Sequence, residues 1–439
     1  MKTRNLDQIN RDGETLKWLY ETFATNPDTT TQYRWFKALK WLATADLGGG
    51  HFTVLLPNKM TIVSDDLGNV NGKLPAFKAN KTLTFAPNFK EGYDGANMKF
   101  VTHNEDLESK PAYPAYKDCT KDEDKGYCMV FDTSVTFQGV NISTNMKKQA
   151  GANLIKVKSG TNTFKGLGME YFRQCTAITC SGGNLIVEDV NFKNAAGGTN
   201  IRFYNTNNDG RPFLKVEGSN LFHTGSSSTC VKIGVADNTS DQAGGNIGDI
   251  TVDGNVADIG GSLLYMRPKA ISIGKVNVVN NSVTGDVSQE ADSGITSGYA
   301  ACVYVGAEEN TRPEYENLNI IGNNFFLDGS KAKKKVVAIY IENRPRFPED
   351  KKKAKVKIAG IFYVNNSDKK DFPIIIPEDI VKRDAKMFIA GVVMSMSLKK
   401  KDNKYSGVEG IGLLKENGAV ERLDPDDKIK RTKLYINAV

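Results

Sequence analysis

Seven residues recur at equivalent places in successive short apolar segments. They are Arg202 and Tyr204 in "NIRFYNT" (200–206), Lys232 in "CVKIGVADN" (230–238), Tyr265 and Arg267 in "SLLYMR" (262–267), Tyr304 in "ACVYVG" (301–306) and Tyr340 in "VVAIYIEN" (336–343). A tyrosine on a rigid strand offers a flat apolar ring and a hydroxyl at small entropic cost, which suits stacking against a polyhydroxylated ring. Arginine and lysine beside it would meet acidic substituents. Tyrosine is also a good strand former, so the same row suits packing under a loop or a subunit partner. The sequence leaves both readings open.

Acidic residues fall near this row: Asp286, Glu290, Asp292, Glu308, Glu309 and Glu342. Glycoside hydrolysis needs two carboxyl groups about 5 to 9.5 Å apart, and these are its candidates; the alternative for each is solvated loop charge. A lyase would instead use a base such as Tyr304, Tyr340 or Arg267. No spacing here is diagnostic, so no catalytic residue is assigned. The histidines are His51, His103 and His223, and placing His51 in a cap region and His223 at a corner removes Ser-His-Asp schemes.

The six cysteines (119, 128, 175, 180, 230, 302) lack zinc-knuckle spacing, so no metal is expected, and a 119–128 disulfide would form only in an oxidising environment. The glycine-rich pieces "SGGN" (181–184) and "AGGTN" (196–200) are followed by no Walker-type lysine. No cofactor is expected.

What positions the row is a repeated strand-corner motif: "SVTFQGVNIS" (134–143), "NLIVEDVNFKNA" (184–195), "FLKVEGSNLFHTG" (213–225), "DITVDGNVADIGG" (249–261), "KVNVVNNSVTGD" (275–286), "NLNIIGNNFFLDG" (317–329) and "KVKIAGIFYVNNS" (355–367). Period-two alternation with β-branched residues predicts strands, and the Gly/Asn/Asp corners tolerate left-handed backbone. Recurrence every 25 to 40 residues, with no helix-period segment between, predicts a parallel β-helix whose coils share one core. Val187, Val216, Val252, Val278, Ile320 and Ile358 occupy the equivalent inward place. Alternation within the second strands puts Ile201, Phe203, Val231, Ile233, Leu264, Met266, Val303, Val305, Ile339 and Ile341 inward, and therefore the tyrosine row outward. Predicted loops at 236–248, 287–300, 307–316 and 344–354 adjoin that face.

Upstream, "ETLKWLYETF" (14–23) and "TTTQYRWFKALKWLATAD" (29–46) have helical spacing and hold all three tryptophans, Trp18, Trp35 and Trp41. Their apolar faces would cover the open end of the first coil. Glycines end the second helix, and "HFTVLLP" enters the first strand. After about 370 the corners disappear and charged turns join apolar runs, which predicts a small β-rich capping or trimerisation module.

The order helix, "ADLGGG", "FTVLLP", irregular coils resembles the entry to the pectate-lyase-like right-handed β-helix of polysaccharide lyases, hydrolases and bacteriophage tailspikes, over roughly 33–370. The resemblance implies an all-β, pectin-lyase-like protein with N-terminal cap helices (1–47), a right-handed parallel β-helix (48–370) and a C-terminal module (371–439). It also implies a homotrimeric virion protein, tailspike- or tail-fibre-like, that binds host-surface polysaccharide and contacts other virion proteins. The alternatives are a depolymerase of capsule or lipopolysaccharide and a purely architectural decoration protein. The chain departs from the enzyme branches: it has no Asn-Thr-Asp, Gly-His-Gly or Arg-Ile-Lys, and "NRPRFPED" (343–350) has the wrong spacing for the lyase arginine signature. Catalytic residues are therefore not carried over.

Composition agrees with a globular protein: 439 residues, 39% hydrophobic, 41 glycines. The sequence has no apolar run near the ~20 residues that span a bilayer, and "MKTRNLDQINRDGETLKW" lacks a secretory apolar segment. The expectation is synthesis in a host cytoplasm, without membrane insertion, and residence in a virion. The +7 charge lies in short runs such as "KAKKK" (331–335), which read as solvated loops and not as a nucleic-acid site.

Overall fold

The computed structural model describes residues 34–44, 49–56, 58–63, 75–78, 80–87, 95–101, 127–144, 153–171, 176–194, 198–207, 210–222, 229–234, 244–287, 299–332, 334–348, 355–366, 372–383, 388–401, 404–409, 411–417 and 419–422. The chain is mostly β, with long parallel sheets consistent with a parallel β-helix, and divides into two compact units, 1–194 and 195–439.

In the first unit the strands Gly50–Leu56, Lys81–Pro87, Val135–Gln138, Thr161–Tyr171 and Asn184–Asn194 pair in parallel, each with the next. Their register forms an inward column, Val54, Phe85, Phe137, Phe164 and Val187, in which every residue is buried. The phenylalanine rings stack at 4.7 Å and 5.4 Å, 7° and 8° from parallel. A second row pairs Lys59–Val63, Ala96–Val101 and Val140–Thr144, and a third pairs Tyr127–Phe131, Asn153–Val157 and Thr176–Cys180. Phe131, from the third row, meets Phe85 and Phe137 edge-on across the core.

The segment expected to be helical over 29–46 forms a helix at Arg34–Thr44, which buries Leu39, Leu42 and Ala43. Buried Lys81 donates from Nζ to the Leu42 carbonyl at 2.9 Å. Carbonyls of a last helical turn lack intrahelical donors, so a cation there satisfies one and complements the helix dipole. The helix expected at 14–23, and the side chains of Trp18 and Trp35, lie outside the described residues. Trp41 is half-buried. Among the described residues one helix, not a pair of cap helices, precedes the strands. His51 is not in a cap region: it lies in Gly50–Leu56, with Nε2 3.1 Å from Thr84 Oγ1.

The second unit repeats the three-row plan. Parallel register aligns Val216, Val252, Val278, Ile320, Ile358 and Ile389, all fully buried. The inward residues read from the coil motif thus form columns, five here and Val187 in the first unit. Each fully buried side chain contributes about 1.5–3 kcal/mol, which explains why the motif keeps a β-branched residue at this place.

Between the first and second rows the chain bends at Gly218, Gly254, Asn280 and Gly322, whose φ values are 55°, 62°, 55° and 71°. The next residues, Ser219, Asn255, Asn281 and Asn323, turn inward and are buried. Each asparagine Oδ1 accepts the backbone N–H of the residue one coil earlier, at 2.9–3.0 Å. Each Nδ2 donates to a carbonyl of the preceding coil: Asn255 to Val216, Asn281 to Val252, Asn323 to Val278. The ladder supplies partners to backbone groups that the bend removes from the sheet. In the first unit the corners Gly139, Gly166 and Asp189 are also left-handed, but buried Val140, Leu167 and Val190 follow them. The same bend is there held by apolar packing.

Residues beyond 370 continue the rows: Ile374 pairs with Ile339, Ile389 with Ile358 and Ile411 with Ile374, all in parallel. The pairing then turns antiparallel, Phe388–Lys401 with Lys404–Glu409 and Ile411–Leu414 with Val420–Arg422.

Candidate functional site

The third row of the second unit carries the candidate site. Its strands Thr199–Phe203, Thr229–Ile233, Ser262–Met266, Tyr299–Val305 and Lys335–Ile341 are parallel. Register makes Arg202, Lys232, Tyr265, Tyr304 and Tyr340 one column, as alternation predicts. Backbone bonds continue the ladder one residue further, from Gly234 N to Phe203 O, Arg267 N to Ile233 O, Gly306 N to Met266 O and Glu342 N to Val305 O. Tyr204, Gly234, Arg267, Gly306 and Glu342 therefore share the next position.

The tyrosines are on the expected side but are not open. Tyr265, Tyr304 and Tyr340 are 3%, 0% and 3% exposed, and Tyr204 and Arg202 are also buried. Tyr265 and Tyr304 stack at 4.8 Å and 11°, Tyr304 and Tyr340 at 5.8 Å and 10°. Tyr299, Ala301, Val337, Ile375 and Leu414 join them, with Phe372 and Val420 packed against the cluster. Tyr304 is stacked on both faces and the neighbouring segments cover Tyr265 and Tyr340, so the row forms a second core outside the sheet. Alternation fixes which side a residue faces, and neighbouring segments decide whether water reaches it.

Solvent reaches the polar margin of this core. Arg267 Nε lies 3.3 Å from Glu308 Oε2, and Arg344 lies 3.7 Å from Glu342 Oε2 and donates to the Ala307 carbonyl at 2.9 Å. These four side chains are between 13% and 35% exposed. The Tyr304 hydroxyl donates to Glu342 Oε1, and the Ala307 N–H reaches Glu342 Oε2 at 3.4 Å. Tyr315 is fully buried and donates its hydroxyl to the Gly306 carbonyl at 2.9 Å.

Burial, and then the Glu342 charge, push the Tyr304 hydroxyl well above the ordinary tyrosine range, and both act in the same order on Tyr315. Burial works against the Arg267 charge, but Tyr265 and Glu308 outweigh it and hold the guanidinium above its usual value. Tyr304 and Tyr315 therefore stay neutral and Arg267 stays charged at neutral pH.

Gly306 makes the Tyr304–Glu342 contact possible. A Cβ there would lie 2.7 Å from Glu342 Oε2 and 2.8 Å from Tyr304 Oη. Gly306→Ala is expected to cost about 1–3 kcal/mol through overpacking. Thermal melts of the variant check this, and an unchanged midpoint would show that the contact yields freely.

Of the carboxylates named as catalytic candidates, Glu308 and Glu342 meet on this margin, and Glu309 is exposed beside it. Asp286 ends a second-row strand, 3.5 Å from Lys331, so it belongs to another face. Glu290 and Asp292 lie outside the described residues, as does Cys119 of the 119–128 pair. Arg344, Tyr299, Tyr315 and Gly306 were not singled out from sequence. The available signal was Gly306 and Glu342 sharing the coil position of Arg267.

Cys180, Cys230 and Cys302 are buried thiols, and burial pushes Cys180 up to about 12. Among the described residues no group of three or more His, Cys, Asp or Glu is arranged to hold a metal ion, and no helix is long and apolar enough to cross a membrane. In the first unit a shallow cleft of about 390 Å³ is lined by Asn80, Thr82, Thr133, Ser134 and Ser159, together with His51, Lys81, Gly50 and Gly160.

No protein-family model and no curated protein matches the chain. Among solved structures it is similar to PfbA, a surface adhesin of Streptococcus pneumoniae, at 11% identity and a TM-score of 0.47, covering 96% of each chain.

Proposed function

We propose that the chain is a right-handed parallel β-helix that binds cell-surface polysaccharide through the Arg267–Glu308 and Glu342–Arg344 margin, in the manner of a tailspike or tail-fibre protein. The observation that supports it is the margin's construction. Partly exposed guanidinium donors and carboxylate acceptors stand at the ends of successive strands, on a row buried on both faces. Sugar hydroxyls need donors and acceptors fixed in place, and a rigid support lowers the entropy cost of holding them. The virion setting, the homotrimer and the contacts with other virion proteins are taken from the sequence resemblance. Arg202, Tyr204, Lys232 and the stacked tyrosines then act as the support, with Arg267 touching ligand.

Retention of the full chain on immobilised capsule or lipopolysaccharide tests the reading. Arg344→Ala is expected to weaken binding at least about tenfold, the size of one charge-assisted hydrogen bond, with the melting temperature held within a few degrees. No retention, or retention indifferent to Arg344→Ala, would overturn it. New reducing ends or unsaturated products in the same incubation would favour the depolymerase alternative.

A further inference from the structure

We propose that the saccharide taken by this margin is neutral, an inference that rests on the reading of the margin as a glycan site. A basic row suggests acidic sugars, but both arginines of the margin already lie against carboxylates of the chain. Arg267 is held by Glu308, and Arg344 by Glu342 and the Ala307 carbonyl. Lys232 lies 5.8 Å from the centre of the Tyr265 ring, and Lys335 lies 5.7 Å from that of Tyr299.

A uronate or sialate carboxylate would have to displace one of the two glutamates. Both are part of the chain, so they compete at a high effective concentration. Glu342 is further fixed by the Tyr304 hydroxyl and the Ala307 N–H. An acidic group that bound without displacing them would sit beside two negative charges in a partly desolvated site, where repulsion is stronger than in water. A neutral sugar meets neither obstacle. One hydroxyl can accept from an arginine N–H and donate to the paired glutamate, so the ion pairs become bridging sites for vicinal diols.

The test compares retention of the full chain on dextran, mannan and galactan with retention on polygalacturonate and polysialic acid, at low and high salt. The expected result is retention of a neutral polymer, unchanged by salt, and none of the acidic ones. Glu308→Gln removes the carboxylate beside Arg267 and is expected to bring polygalacturonate to measurable retention, a gain that high salt removes. Wild-type retention of an acidic polymer with steep salt dependence would overturn the charge inference and leave the glycan site standing. Retention of neither kind would overturn both.

Discussion

Tyr304→Ala is expected to lower the free energy of unfolding by about 3–5 kcal/mol, the range for removing a large buried aromatic side chain. The ring is fully buried, stacks between Tyr265 and Tyr340, and its hydroxyl reaches Glu342. Truncation leaves a cavity in the middle of the stack and takes a donor from a carboxylate that is mostly buried. Tyr304→Phe keeps the stack and loses only the hydroxyl, so it is expected to cost about 1–2 kcal/mol. Urea titrations with a common slope check both values. A tyrosine on an open ligand face would behave otherwise, with stability nearly unchanged in both variants and glycan binding lost.

A loss of about 4 kcal/mol is expected for Asn281→Ala, from several buried polar groups left unpaired at about 1–3 kcal/mol each. The Asn281 Oδ1 accepts from both the backbone N–H and the side-chain amide of Asn255, at 3.0 Å each. Its Nδ2 donates to the Val252 carbonyl and to Asn323 Oδ1, at 2.9 Å each. Alanine removes all four contacts in a place that water does not reach. Asn281→Asp retains the acceptors and loses the donors while adding a buried charge, so it is expected to be at least as harmful. The same urea titrations measure both variants, and a change under 1 kcal/mol for Asn281→Ala would show that the corner needs no ladder.

The inner column was legible in the sequence because each coil must bury a side chain at the same place, which leaves Val216, Val252, Val278, Ile320 and Ile358 at equivalent positions in each repeat. The bends were legible too, since a left-handed residue selects Gly or Asn. The asparagine ladder was not, because each amide bond joins residues 26 to 45 apart and exists only once coil register is fixed. The burial of Tyr265, Tyr304 and Tyr340 was hidden for a related reason. Their cover includes Phe372, Leu414 and Val420, distant segments that no local pattern brings to them. The Tyr304–Glu342 contact spans 38 residues and depends on the missing side chain of Gly306. Arg344 follows a strand end, where alternation no longer says which way a side chain points.

Hydroxyl-radical footprinting of the full chain, with and without the polysaccharide it retains, tests most directly whether the margin and not the tyrosine row meets the ligand. The expected pattern is no labelling of Tyr265, Tyr304 or Tyr340 in either state, with protection on binding confined to the segments carrying Arg267, Glu308 and Arg344. Labelled row tyrosines in the free protein that become protected on binding would contradict it, as would protection that leaves all three margin segments unchanged.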